Sequence, residues 1–291
     1  MEKKYFLVFH TIFLPYENVI WLEEFLIYYI NLGFEHFYLY DNTGSIGRNG
    51  SSSSKTKYGF KIKTDNEDYV KMFDDLLNKY KEYITHVTWQ PLDNKGNIIY
   101  NPYQGILHFK ENYSHEAEYC AFMDIDEFLF SELDINIKNY ILEKEKEGVT
   151  RIILHQKKFK DRHYCDCSLI TQNFECFDLP YKTNSWIQGH KSIIKLDEIK
   201  HIGKDFHSIY TNGKEIFADQ KYLRFNHYNL NKRTINHINK TCKTNFEPNI
   251  FESKQNMIES KKNQIYQYVI DDSMKRYKFL FHQYKNCSHP I

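Results

Sequence analysis

The 291-residue chain has almost no charge of one sign to spare: 39 Lys and Arg stand against 38 Asp and Glu, a formal net charge of +1. That balance excludes the basic field a nucleic-acid binder relies on, and it leaves no acidic tail. The G-x-G-x-x-G fingerprint is absent, so no nicotinamide dinucleotide is indicated. The Ser- and Gly-rich stretch from Gly44 to Lys57 has no Gly-Lys-Ser/Thr after it, and reads as a flexible surface loop rather than a phosphate cradle. Six cysteines are present without a C-x-x-C pair. Free thiols in a reducing compartment are expected, with a disulfide in the loose cluster Cys165-Asp-Cys167 and Cys176 as the alternative. Long apolar runs are missing too. Val19 to Gly33 is broken by Glu23 and Glu24, and the apolar run near the N-terminus is too short for a signal peptide. A soluble, cytoplasmic protein is expected, and its oligomeric state stays open.

Aromatic residues, by contrast, are abundant at 17% of the chain. Lysine far outnumbers arginine, and Ile, Asn and Tyr are frequent, a bias that an AT-rich genome produces by itself. The tyrosines are therefore not read as a binding surface. The length suits one large domain with a substantial core.

Hydrophobic spacing gives the order of elements. Tyr5 to Phe9 reads as a buried strand, His10 to Asn18 as a loop, Val19 to Leu32 as a helix stopped at Gly33, and His36 to Tyr40 as a second strand ending on Asp41. A helix over 69–80, a strand over 84–89, a helix over 102–113 and a strand over 119–123 follow. Next come a helix over 135–147 with a solvated Lys/Glu face and a strand over 150–155. The stretch 157–186 is polar and irregular. Strands are expected over 190–195 and 221–228, and helices over 232–243, 253–269 and 273–284. Alternating strands and helices imply an α/β fold: a doubly wound, mainly parallel sheet flanked by helices, with C-terminal helices. The expected division is a main domain over 1–245 and a helical extension over 246–291 packed on it.

The apolar strand over 119–123 ends abruptly in Asp124-Ile-Asp126-Glu127, and apolar residues resume at Phe128. In extended chain Asp124 and Asp126 share a side. Carboxylates at the C-terminal end of a sheet strand suit Mg²⁺ or Mn²⁺, which in turn suit a diphosphate. Solvated acids at a strand end are the plainer alternative. Asp41 is placed to contact a nucleoside, or else simply begins an Asx-turn.

Three stretches carry a resemblance. They are Glu17-x-x-x-Trp21-Leu-Glu-Glu-Phe-Leu-Ile-Tyr-Tyr-Ile-Asn-Leu-Gly33 running on to His36-Phe-Tyr-Leu-Tyr-Asp41-Asn42, then Glu118-Tyr-Cys-Ala-Phe-Met-Asp-Ile-Asp-Glu-Phe-Leu129, and Leu223-Arg-Phe-Asn-His-Tyr228. Together they resemble family-92 and related family-2-like glycosyltransferases of the GT-A fold, from about residue 5 to 240. The chain departs from that pattern at Pro15-Tyr16, where the family has Lys-Asn. It departs again at Tyr29, where the family has a helix His, and after Tyr228, where the family's Lys-Ser run is missing.

The resemblance implies transfer of a hexose from a nucleotide sugar, UDP-linked by preference, to a glycan or other hydroxyl acceptor, with inversion and with Mn²⁺ or Mg²⁺ bridging the diphosphate. It implies Asp124, Asp126 and His227 as metal ligands, with Asp124 also facing the ribose. Asp41 and Glu17 would lie beside the nucleoside, and Lys191 and His207 beside the diphosphate or sugar. Glu127 would support the metal site from behind. The general base stays open among Asp161, Glu175, Asp178 and Asp205. Two rival functions are a sugar-nucleotide nucleotidyltransferase and a non-catalytic carbohydrate- or protein-binding domain. The first wants a Gly-rich, cationic loop after the first strand, and residues 10–18 hold no Gly, Lys or Arg.

Overall fold

The computed structural model describes residues 3–45, 67–159, 169–172, 175–177, 189–204, 206–228 and 268–281. Strand β1 (Tyr5–Phe13) is followed by helix α1 (Pro15–Asn31) and strand β2 (His36–Asp41). The expected loop over 10–18 is therefore not one. β1 continues to Phe13 because each residue from Val8 onward pairs in parallel with β2, ending with Phe13 opposite Asp41. Leu14 alone joins strand to helix, and Pro15 opens the helix, where its missing N–H costs nothing. α1 ends at Gly33, whose φ of +92° needs glycine.

Helix α2 (Glu67–Lys79), strand β3 (Ile84–Thr88), helix α3 (Pro102–Asn112) and strand β4 (Ala117–Phe122) complete the first half. β3, β2, β1 and β4 lie side by side and all parallel. Then follow strand β5 (Glu127–Phe130), helix α4 (Ile137–Lys146), strand β6 (Val149–Lys158) and the short strand β7 (Glu175–Phe177). Strands β8 (His190–Lys195), β9 (Ile199–Ile202), β10 (Ile209–Thr211), β11 (Lys214–Phe217), β12 (Arg224–His227) and β13 (Tyr268–Ile270) come last.

The main sheet runs β3-β2-β1-β4-β8-β6-β12-β5, with β11 alongside β6. β8 is antiparallel to both β4 and β6, and β5 is antiparallel to β12. The C-terminal ends of β1 to β4, β6 and β12 thus share one rim with the N-terminal ends of β8 and β5. The class is α/β, with a mainly parallel sheet wound on both faces. α1, α2 and α4 cover one face, where Phe9, Phe25, Phe37, Phe128 and Ile152 lie in a single core. α3 and residues 196–204 and 206–209 cover the other, through Ile106, Phe109, Ile199 and Phe206.

α1 is sequestered almost all round: Trp21, Leu22, Phe25, Leu26, Tyr28 and Tyr29 are all buried. A helix with so wide an apolar surface has to be enclosed. The sheet covers one side, α2 another, and a 3₁₀ turn over Ser273–Phe281 a third, with the Tyr277 ring 5.1 Å from that of Tyr28. In α2, Phe73 and Leu76 are buried, while Val70 is half exposed.

Three other expectations need correction. Residues 127–130, where apolar residues merely resumed, form β5. The expected helix over 253–269 is strand at residues 268–269, because β13 pairs antiparallel with β7. The final helix is 3₁₀ over Ser273–Phe281 rather than α. The irregular stretch after residue 157 carries β7 and a 3₁₀ turn over Ile170–Gln172. The expected helix over 232–243, the Ser-rich loop beyond residue 45, Cys165, Cys167 and Trp186 lie outside the described residues. Among the described residues no helix is long and apolar enough to cross a membrane.

Candidate active site

β4 delivers the acids to the shared rim, but not as an extended strand. Glu127 donates its backbone N–H to the Asp124 carbonyl at 3.2 Å, so residues 124–127 form a tight turn. Asp124 and Asp126 consequently face different partners, and the same-side geometry of an extended chain does not arise. β5 then starts at Glu127 and lies against β12, with Glu127 opposite His227. This pairing, non-local by about a hundred residues, brings the late histidine to the acid turn.

On one side of the turn stands Lys191, from the start of β8. Its Nζ donates to Asp124 Oδ2 at 2.5 Å and to Glu127 Oε2 at 2.7 Å, and its side chain is 2% exposed. The same Glu127 oxygen accepts the Asp124 N–H at 2.9 Å. Burial opposes the charge on Lys191, but the two carboxylates outweigh it and hold the ammonium well above its ordinary pKa. Burial pushes the Glu127 carboxyl up to about 7, against the downward pull of Lys191.

On the other side stands His227. Its Nε2 lies 3.4 Å from Asp126 Oδ2, and its Nδ1 lies 3.0 Å from Gln156 Oε1. An amide oxygen only accepts, so Nδ1 carries the proton and Nε2 is turned to the carboxylate. Burial works against a charged imidazole, but Asp126 and Glu127 reverse the balance and raise its pKa. Gln156 is held close against Gly189: a Cβ there would meet Gln156 Oε1 at 2.9 Å. The turn is fastened from below by Tyr29, whose hydroxyl donates to the Glu127 carbonyl at 2.6 Å and accepts from Leu129 N at 3.1 Å. Tyr228 N donates to the Asp126 carbonyl at 3.0 Å.

The donor chemistry fits a hard divalent ion in part. Two ligands at about 2.1 Å from one ion and at right angles stand about 3 Å apart. The 3.4 Å between Asp126 and His227 is close to that spacing. Asp124, the third expected ligand, has its Oδ2 on Lys191. Among the described residues no three His, Cys, Asp or Glu side chains converge as a metal-holding group.

Asp41 ends β2 on the same rim. It forms the Asx-turn: Oδ1 accepts Thr43 N at 2.8 Å and Thr43 Oγ at 2.5 Å, while Oδ2 lies 3.3 Å from His86 Nε2. Burial favours its neutral form, yet the bonds from His86 and Thr43 win and hold the carboxyl below its ordinary value. Glu17 sits in the first turn of α1, next to the same rim. His207 is not joined to the acid turn. Its Nδ1 meets the His190 carbonyl, and the loop around it is fixed by Arg151, which donates to the His207 carbonyl at 3.0 Å. Glu175 lies on β7. Asp161, Asp178 and Asp205 lie outside the described residues.

No protein-family model matches the chain, and no curated protein does. Solved structures of similar shape exist. The 4-diphosphocytidyl-2C-methyl-D-erythritol synthase of Anaerococcus prevotii is 10% identical at a TM-score of 0.36, over 83% of this chain and 100% of that one. TarS of S. aureus is 12% identical at 0.39, over 87% of this chain and 69% of that one. An apo UDP-glucose pyrophosphorylase is 12% identical at 0.31, over 76% and 90%. At these identities and scores the likeness stops short of function.

Proposed function

We propose that the chain is a metal-dependent glycosyltransferase that moves a hexose from a nucleotide sugar, UDP-linked by preference, to a glycan or other hydroxyl acceptor, with inversion. One observation carries this reading. A single rim gathers the acid turn after β4, Lys191 from β8, His227 from β12 and Asp41 from β2. Hard oxygen donors, one imidazole and one buried ammonium together match a diphosphate leaving group.

In this reading Asp126 and His227 hold Mn²⁺ or Mg²⁺, and Asp124 lies between that ion and the ribose. Bound there, the ion acts as a Lewis acid on the departing diphosphate. Lys191 adds fixed positive charge behind the acids, and Gln156 keeps the His227 ring in the tautomer that offers Nε2. Asp41 and Glu17 flank the nucleoside, and His207 stands toward the donor sugar. The acceptor's proton goes to one of Asp161, Glu175, Asp178 and Asp205. A nucleotidyltransferase would instead grip triphosphate with a Gly-rich loop after β1, where this chain has Leu14 alone between strand and helix.

Calorimetry with UDP, GDP and CDP, each with and without Mn²⁺, tests the proposal. Metal-dependent binding of one nucleotide is expected, lost in Asp126→Ala. Binding of none of the three would sink it. Hydrolysis across a panel of nucleotide sugars then names the donor.

A further inference from the structure

Away from the acid turn, one face of β6 carries rings. β11 runs beside β6, with Glu215 level with Arg151 and Phe217 level with Ile153. Alternate residues of a strand point to opposite faces. Ile216 packs against the core that holds Ile152, so Glu215 and Phe217 project on the other face, with Arg151 and His155. The Phe217 ring lies along the His155 ring, with centroids 4.9 Å and planes 23° apart, and the His190 ring stands 6.4 Å away. Yet Phe217 is 58% exposed. One face of its ring is backed by an imidazole and the other is open to solvent.

An exposed phenylalanine is ordinary by itself, and Phe279 is exposed too. Phe217 differs in having a fixed surround. His155 sits opposite His190 of β8. His190 and His207 each donate a ring N–H to the other's backbone carbonyl, and Arg151 donates to the same His207 carbonyl at 3.0 Å. The patch is also neutral. Arg151 pairs with Glu215 at 3.1 Å, and burial lowers the His155 pKa, which keeps that imidazole uncharged. A flat, uncharged aromatic face offers no grip to a phosphate or an acidic peptide. It matches the C–H face of a pyranose, whose hydroxyls lie around the ring edge, toward the imidazoles. β6 lies between β11 and β8. Phe217 therefore stands two strand spacings, about 10 Å, from the strand that carries Lys191.

We propose that Phe217 is the platform for a pyranose ring of a glycan acceptor, which stacks on its open face. That this glycan is the acceptor rests on the glycosyltransferase reading; the stacking rests on the Phe217–His155 pair. His155 is a positioning residue that sets the plane of the Phe217 ring.

Saturation-transfer NMR on the full chain tests this, with cellobiose, lactose, maltose and N,N′-diacetylchitobiose as probes. At least one disaccharide is expected to bind and to receive saturation mainly at the C–H protons of one ring face. Its affinity, from titration, is expected to fall about tenfold in Phe217→Ala, shown to be folded by circular dichroism, and to be kept in Phe217→Trp. Phe279→Ala should leave it within about twofold of wild type. Binding of none of the four, equal affinity in Phe217→Ala, or an equal fall in Phe279→Ala overturns the proposal. Wild-type calorimetry with UDP, GDP and CDP separates the two readings. If no nucleotide binds but a disaccharide binds through Phe217, the transferase reading falls and the platform stands. If a nucleotide binds but no disaccharide does, the platform falls alone.

Discussion

The two halves of the main sheet are built on different principles. β3, β2, β1 and β4 are parallel, nearly consecutive in sequence, and packed through rings such as Phe9, Phe25 and Phe37, with the first two 4.9 Å apart and edge to face. β8, β6, β12 and β5 mix directions and join residues far apart in the chain. Their coherence owes much to buried charge. Arg224, 1% exposed, donates to Glu132 at 2.6 Å and to Asp271 at 3.1 Å, and Asp271 is also bound by Lys157. Arg151 joins Ser192 at 3.0 Å and Glu215 at 3.1 Å. Both halves share one apolar core, where Phe128, Ile152, Ile193 and Phe225 lie with Phe9 and Phe37. The second half adds matched charges, where removing one partner leaves the other stranded. The acid turn lies between them, at the end of β4 and the start of β5.

Substitutions separate the two principles. Phe9→Ala, in the apolar half, is expected to cost about 4 kcal/mol by leaving a cavity, with little dependence on salt. Urea unfolding at low and high salt measures both. Arg224→Met is expected to cost about 3 kcal/mol, because Asp271 and Glu132 lose a buried partner. It should also loosen the 268–281 segment, seen as faster proteolytic cleavage there; an unaltered segment would argue that Asp271 is held by Lys157 alone.

His10 supplies a titration inside the apolar half. It is wholly buried among Tyr40, Phe109, Phe122 and Phe206, and burial lowers its pKa from 6.5 to about 3. The unfolded chain takes up this proton below about 6.5, and the folded chain refuses it until about 3. The stabilisation is therefore complete above that upper value and is lost as pH falls through the window. Between pH 7 and 5 the loss due to His10 is about 2 kcal/mol. His10→Phe should lack this loss, and parallel unfolding curves at the two pH values check it. The smallest effect is expected of Tyr29→Phe, about 1 kcal/mol, from the bonds to Glu127 and Leu129. A larger loss would show that the turn depends on α1 more than on β12.

Sequence patterns made the first half legible because its contacts are local. The run from Tyr5, the helix before Gly33, and the strand ending at Asp41 each carry their own periodicity. The acids at 124–127 and His227 were legible as residue types in a motif. Their geometry was not. Whether Asp124 and Asp126 share a side depends on the turn after β4, and that turn depends on β5 pairing with β12, about a hundred residues away. Glu127 was expected to support the metal site, but nothing local says that its carboxylate will be buried beneath its neighbours. Gln156 gave no signal at all. It is one polar residue near the end of a strand, and only its approach to Gly189 and His227 gives it a task. β13 was hidden likewise, because its partner β7 is itself only three residues long.

The 3₁₀ turn over Ser273–Phe281 also sets an order of events during synthesis. Met274, Tyr277 and Phe281 close the flank of α1, and Tyr28 at that flank donates its hydroxyl to the Leu129 carbonyl at 2.5 Å. While the ribosome is still making residues 229–267, β1 to β4 can already pair, but α1 keeps an apolar side open to water. Closing that side waits for residues 273–281, which are made well after every residue of the acid turn and His227.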